Sequence, residues 1–422
     1  MNKLLLLLLL LLVLILSSLS FRTSITRTLS SSTSTISLST STISLSSTST
    51  SSSSTSTSSS SSITTTTNTE QQPKHVRRIR YSGKYPKKYN EKYKELAGDN
   101  ATIEKVINKG TTPAGRHLPI MVEECLEYLG LSNENEIKEN IIVVDCTLGF
   151  GGHTIRILEK IKNKAGTVYA IDQDKETLEN TSKRIQESTF NTSFRSFHKN
   201  FNETIEIIKS EGIVVDCLLA DLGYSSMQID NPERGFSYKY EGYLDMRMDR
   251  TRGSLTASDY LKKIPNAKKF SQVLMDNADF DEKDALLLAE KIVKCKNTLN
   301  TTISLANTIR DVYADAKIKM SKNELDSIIA RVMQSIRIEI NDEFGVLDKL
   351  LHDLPNMLSK GGRVVILCFH SGEDRRVKKA FKSGFNSGVY LKWGREVVIA
   401  SSTERRKNPR SKCCKLRWAV KA

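Results

Sequence analysis

Residues 213–220 read IVVDCLLA, and the chain then breaks into Asp221, Leu222, Gly223, Tyr224, Ser225, Ser226, Met227 and Gln228. The first stretch is short, apolar and β-branched, as expected of a strand buried on both faces. A carboxylate, two hydroxyls and an amide leave the end of that strand together, and such groups need partners once they are out of water. In an open α/β sheet the carboxyl edge of the strands is where ligands bind. A merely solvated loop is the alternative for this segment taken alone.

From about His117 onward, strand and helix signals alternate. A helix-like stretch at 121–129 precedes a strand at 141–145, which turns through Cys146, Thr147, Leu148, Gly149, Phe150, Gly151, Gly152 and His153 into an amphipathic helix at 154–161. A second strand at 166–171 ends in Asp172, a helix follows at 175–185, and a third strand is expected at 194–198. This alternation predicts an α/β fold with a parallel sheet. After Asp249 the rhythm stops. Residues 256–326 are charged and helix-like, and strand character returns only at 363–369, so a helical insertion within one α/β domain is expected. The helix before the returning strand carries Ile329, Val332, Ile336, Ile340, Phe344, Leu347 and Leu351, a stripe at helical spacing that predicts core packing. The expected division is 1–69, a targeting segment with a Ser/Thr-rich tract; 70–114, a basic linker; 115–250 and 327–422, the two parts of the main domain; and 251–326, a helical substrate-recognition insertion.

The first 69 residues have no acidic side chain, and after an apolar run at 4–16 they are dominated by Ser and Thr. Such a tract buries too little apolar surface to offset its ordering entropy. The apolar run is shorter than the ~20 residues of a membrane span, and Arg22 and Arg27 in an acid-free setting favour an organellar transit peptide over a secretory signal. The net charge is +15, of which Lys3, Arg22 and Arg27 supply three, leaving +12 for the rest. That excess suits a polyanionic partner. It concentrates at 74–88, among Tyr81 and Tyr85, and again at Arg405, Arg406, Lys407, Arg410, Lys412, Lys415 and Arg417; solvated basic tails are the plainer reading. The seven cysteines are odd in number and lack C-x-x-C spacing, which argues for reduced core residues and against secretion or zinc.

Glycines between a first strand and its helix let a ligand approach the backbone and the free N–H groups of the helix start. Asp172, roughly 20 residues on at the end of the next strand, is placed to accept from a ribose diol. Alone, Gly149, Gly151 and Gly152 fit a dinucleotide, an adenosyl sulfonium cofactor or a tight turn. The third glycine of G-x-G-x-x-G is missing, which disfavours NAD and an NAD-linked oxidoreductase. An acidic loop suits the cationic sulfonium and ammonium of S-adenosyl-L-methionine better, with Asp145 and Asp221 facing those charges or ordering water around them.

Taken in order, His117 to Ile120, Asp145 to His153, Ile171 to Asp174, Asn200-Phe201, Asp221 to Asp230, Pro232 to Ser237, Leu244 to Asp249, Arg337 to Glu343, Gly361 to Arg363, Phe369 to Arg375 and Asn408 to Ser411 resemble the ribosomal RNA small-subunit methyltransferase H family. Those are cytosine-N4 methyltransferases, and the likeness covers about 115–420. It implies a Rossmann-like class I methyltransferase domain with an inserted helical domain, and an S-adenosyl-L-methionine site at Gly151, Gly152, His153, Asp172, Phe201, Asp221 and Gln228. From the residues alone, His153 is a helix-start residue and Phe201 a core aromatic. The departures are Tyr224 for a usual Val, Gly372 for a usual Leu, and Lys412, Cys413 and Cys414 for small residues; they bear on the RNA-facing surface. The expected chemistry is alignment of nitrogen, methyl and sulfur plus an acceptor for the N–H proton, with no metal. Asp221, Ser225, Ser226, Asp245, Arg247 and His370 are the candidates for holding the extruded base. The implied partner is small-subunit ribosomal RNA or the assembling small subunit, in mitochondria, with no stable membrane association of the mature form and a homodimer as one allowed state. A catalytically silent assembly factor on the same fold is the competing reading, disfavoured by the intact loop.

Overall fold

The computed structural model describes residues 119–422. The targeting segment, the basic linker and its cluster, and His117 and Leu118 lie outside the described residues, as do the side chains of Ser226 and Lys407.

An eight-stranded sheet organises the described residues, in the order β3-β2-β1-β4-β5-β8-β6, with β7 on β8. Its strands are β1 (Ile142–Asp145), β2 (Thr167–Asp172), β3 (Phe194–His198), β4 (Val215–Asp221), β5 (Leu358–Cys368), β6 (Tyr390–Trp393), β7 (Val398–Ile399) and β8 (Lys415–Lys421). The first five pair in parallel, and β8 returns antiparallel to β5. Helices α1 (Val122–Leu129), α2 (Gly152–Ile161), α3 (Lys175–Gln186) and α4 (Thr204–Glu211) make the early crossovers. Val143, Val144, Leu218, Leu219 and 364–367 are at most 1% exposed, so both faces of the central strands are covered. That is why these segments are uninterrupted apolar runs with no alternation. This is the Rossmann-like α/β arrangement expected from the sequence. Strand order reverses at β1 and β4, and β1, β2 and β4 each end in an aspartate, Asp145, Asp172 and Asp221. Three carboxylates thus converge at the topological switch point, where ligands of open sheets bind.

Beyond a short helix α5 (Ser226–Asp230), a helical layer follows: α6 (Ala257–Lys263), α7 (Ala267–Ala278), α8 (Glu282–Cys295), α9 (Thr302–Asp315) and α10 (Lys322–Ile340). Thr256, Asn266, Asp281, Thr301 and Ser321 each accept from the backbone N–H three residues on, and these caps set the helix starts. Phe270, Leu288 and Ile309 fill a core separate from that of the sheet, which also takes in Phe236, Leu244, Ile329 and Ile336 from outside 251–326. Residue 326 falls inside α10.

The apolar stripe from Ile329 to Leu351 does not lie on one helix. The chain breaks at Asn341 and Asp342, the latter at φ 48°, before α11 (Glu343–Met357). Asn341 Nδ2 donates to the carbonyls of Met246 and Arg337, and its Oδ1 accepts from Met248 N. Ile329, Val332 and Ile336 pack in the helical core, whereas Leu347 and Leu351 pack on the sheet. One periodic stripe therefore serves two cores, and periodicity alone does not register the break. The chain then runs through β5 into α12 (Ser371–Asn386), and α13 (Ser402–Lys407) precedes β8.

Candidate active site

A cleft of about 370 Å³ opens at the carboxyl edge of β1, β2, β4 and β5, within the size range of small-ligand sites, about 300–1,000 Å³. Its cofactor side is built locally. Gly149, at φ 48°, turns its N–H onto Asp172 Oδ2 at 2.7 Å, and Asp174 N donates to Asp172 Oδ1 at 2.8 Å. Gly151 sits at φ 75°, and a Cβ there would meet Thr181 Cγ2 at 2.9 Å, so both conformation and space call for glycine. Burial pushes the Asp172 carboxyl up to about 6, while its two backbone hydrogen bonds pull the other way. Each of its oxygens retains a lone pair for a further donor, the capacity a ribose diol needs.

Asp145 behaves otherwise. It is 1% exposed, its Oδ2 accepts from Thr154 Oγ1 at 2.6 Å and its Oδ1 from Thr147 N at 3.0 Å, and it does not line the cleft. The expectation that it faces a cationic ligand is corrected: it braces the loop, because the turn folds two Thr donors back onto it. Thr147 Oγ1 in turn accepts from Asp221 N at 2.7 Å. Asp221 lines the cleft, and its Oδ1 is buried with no hydrogen-bond partner. Burial pushes it up to about 6, His153 pulls it down, and Asp145 and Glu373 push it up.

Gly152, His153, Phe201, Ser225 and Gln228 also line the cleft. Both ends of the Gln228 amide are engaged: Oε1 accepts from Ser225 N at 2.9 Å and Nε2 donates to Asp174 Oδ2 at 2.6 Å, leaving one N–H and one lone pair for a ligand. Arg234 also pairs with Asp174, and against its burial the Arg234 charge and Gln228 hold that carboxyl below the usual range. Gln228 thus ties the loop after β4 to the end of β2, and its capping box with Ser225 sets the course of the loop.

The opposite wall is assembled from distant segments. His370 follows β5, its Nε2 lies 3.1 Å from Glu373 Oε1, and Glu373 Oε2 accepts from Phe369 N at 2.7 Å. Arg337, on α10, pairs with Glu343 on α11 at 2.6 and 2.8 Å, and its guanidinium lies 4.2 Å from the Tyr224 ring centroid. Donor atoms of Glu343, His370 and Glu373 lie within 4.8 Å of one another, but Arg337 already supplies the cation that Glu343 faces. Arg337, Asn341, Glu343 and Glu373 were not among the sequence candidates. For Arg337, Asn341 and Glu343 the available signal was polar residues within an apolar helical stripe, and for Glu373 its place in the Phe369 to Arg375 motif.

Asp245 and Arg247 do not join this cleft. Asp245, 5% exposed, receives Arg247 Nε at 2.7 Å and lies 3.3 Å from Arg250, and these residues line a separate shallow concavity with Tyr243. The helical turn at Pro232–Arg234 leads the chain away, and Asp245 and Arg247 satisfy each other. Of the departures, Tyr224 is covered by Arg337 and stacks on Phe236 at 5.3 Å, a Cβ on Gly372 would lie 2.5 Å from Phe344 Cζ, and Cys413 lines the cleft beside Arg410. All seven cysteines are free, and Cys125, Cys146, Cys217, Cys368 and Cys414 are buried.

The sequence profile of the MraW methylase family matches residues 114–422. The chain belongs to that family. It is 42% identical over 357 residues to ribosomal RNA small subunit methyltransferase H 1 of Agathobacter rectalis, covering 83% of this chain and 99% of that protein. It is 41% identical over 357 residues to ribosomal RNA small subunit methyltransferase H 2 of Acholeplasma laidlawii, with the same coverage, 83% and 99%. The protein is a methyltransferase using S-adenosyl-L-methionine. The cleft fits that cofactor: a glycine cradle, an aspartate with free lone pairs, and a buried carboxylate oxygen, Asp221 Oδ1, without a partner.

Proposed function

We propose that this MraW-family enzyme methylates N4 of a cytidine in the decoding region of small-subunit ribosomal RNA in an organellar ribosome. The observation that carries the reading is the meeting, in one cleft, of the Gly149–Asp172 hydrogen bond with the partnerless Asp221 carboxylate and the His370 wall. The names of the relatives supply the substrate class. When bound, the cofactor supplies a methyl group on a positively charged sulfur. The exocyclic amine of cytosine is a weak nucleophile, so the chain's task is alignment, exclusion of water and acceptance of one proton. In this reading Asp172 holds the ribose, Phe201 flanks the adenine, Gly151, Gly152 and His153 form the cradle, and Asp221, Ser225 and His370 face the base. Gln228 acts by fixing the loop. Asp245 and Arg247 are assigned to the outer RNA path, and 251–326 to substrate recognition.

The base has to leave its stack, at a cost of a few kcal/mol that phosphate contacts offset. The exposed Arg406 and Lys412, and Arg410 at the cleft, suit that role. No helix among the described residues is long and apolar enough to cross a membrane. The mitochondrial assignment rests on the composition of residues 1–69, and a fluorescent fusion of that segment entering the secretory pathway would overturn it. The decisive test compares small-subunit ribosomal RNA nucleosides, by mass spectrometry, with and without the protein. Loss of an N4-methylated cytidine is expected. Unchanged RNA would favour the silent assembly factor.

A further inference from the structure

We infer that His153 and Asp221 form one proton-exchanging unit on the floor of the cleft, releasing a proton when the cationic cofactor binds and taking one back once the methyl group has left. His153 Nε2 lies 2.9 Å from the carbonyl oxygen of Ile120. A carbonyl only accepts, so Nε2 carries a hydrogen toward it and Nδ1 is the ring atom turned to Asp221. Nδ1 lies 3.8 Å from Asp221 Oδ2, at ion-pair distance, with the two side chains 8% and 17% exposed.

Among the described residues, the groups set against this pair from the surrounding elements include carboxylates and thiols. Asp145 comes from β1, Glu373 from α12, Cys125 from α1, Glu404 from α13 and Cys414 from the turn before β8. Cys125 Sγ lies 4.0 Å from His153 Nε2. His153 is thus the basic side chain that the structure sets beside Asp221, whose Oδ1 has no hydrogen bond. A buried carboxyl among other acids favours its proton until a positive charge arrives. The cofactor brings that charge, so its binding expels a proton from the pair.

Transfer reverses the balance. The S–CH₃ bond breaks with its electron pair remaining on sulfur, the N–CH₃ bond forms, and the amine gives up one proton. The positive charge beside Asp221 disappears as a proton is released, and the carboxylate that faced the cation regains its affinity for that proton. Local charge is the same before and after, which lowers the electrostatic cost of the step in a site where charge is poorly solvated.

The inference rests on the proposed placement of the cofactor's charged end at Asp221. Calorimetric titration of the full chain with S-adenosyl-L-methionine and with S-adenosyl-L-homocysteine tests it, near pH 6, in buffers of different ionisation enthalpy. Release of about half a proton is expected for the sulfonium ligand and almost none for the neutral thioether, with affinity for the first rising up to about tenfold between pH 5 and 7. Asp221→Asn should abolish the difference. His153→Gln should keep binding but move its pH midpoint upward, since the imidazole holds the Asp221 carboxyl down. Equal proton release by both ligands, or an undiminished difference in Asp221→Asn, which would assign it to Asp172, overturns the pairing while leaving the cofactor reading intact. Failure of the wild-type chain to bind either ligand sinks the cofactor placement itself.

Discussion

The two walls of the cleft are built on different principles. The cofactor wall is local: Gly149 and Asp172 are 23 residues apart, and backbone N–H groups make its hydrogen bonds. The acceptor wall joins Tyr224, the α10–α11 break and the start of α12, with its geometry held by side-chain pairs such as Arg337–Glu343. A wall made of backbone tolerates change in its neighbours, whereas a wall made of buried charges depends on every partner being present.

The largest expected effect tests that contrast. Arg337→Met leaves the half-buried Glu343 without its partner and should cost about 3 kcal/mol in denaturant unfolding, the low end for a desolvated pair. Adding Glu343→Leu should restore most of the loss, because replacing both charges removes the unpaired group. A single-variant cost below about 1 kcal/mol, the range of exposed ion pairs, would mean that the acceptor wall is not held by this pair.

Next comes the cofactor wall. Asp172→Ala should weaken S-adenosyl-L-methionine binding by about 1–3 kcal/mol in calorimetric titration, the usual cost of leaving polar partners unpaired. Arg247→Ala should leave that affinity unchanged, since Arg247 lies in the separate concavity. Equal losses in the two variants would erase the distinction between the cleft and its surroundings.

These differences in construction also explain what the sequence disclosed. The parallel sheet was legible because buried strands are unbroken apolar runs, and the strand at 194–198 matches β3 to the residue. The glycine loop and Asp172 were legible because their partners lie close in sequence. Asp145 misled because a carboxylate at a strand end looks the same whether it faces a ligand or its own loop, and Thr147 and Thr154 decide between the two. The α10–α11 break was hidden because apolar spacing continues across Asn341, whose bonds go to residues about 95 positions away. Asp245 and Arg247 looked like site residues by type, but only the course of the intervening turns shows that they pair with each other.

A pH series separates the floor of the cleft from the rest. Asp221 has its carboxyl raised to about 6, so the folded chain holds that proton more tightly than the unfolded chain does. For such a group, stability is highest below the unfolded value near 4 and is lost as pH rises toward 6. Asp221→Asn lacks this loss. Unfolding of variant and wild type without cofactor should therefore diverge in the variant's favour between about pH 4 and 6 and run parallel above. A constant difference across that range would show that Asp221 ionises as freely in the fold as outside it.

The smallest effect concerns the rim, where both walls meet solvent. Arg406 and Lys412 are exposed and lie close in sequence to Arg410, which lines the cleft. If they meet phosphates, replacing both with Ala should lower the slope of log affinity against log salt by roughly 0.7–0.9 for each phosphate no longer neutralised. Cofactor affinity should not change, because neither side chain lines the cleft. Filter binding of a small-subunit ribosomal RNA fragment over a salt series measures the slope. A parental slope in the double variant would make these charges a solvated surface, and recognition would then fall to the helical layer. A reduced slope with weakened cofactor binding would instead show that the rim and the cofactor wall are one mechanical unit, and the division between the two walls would not hold at the surface.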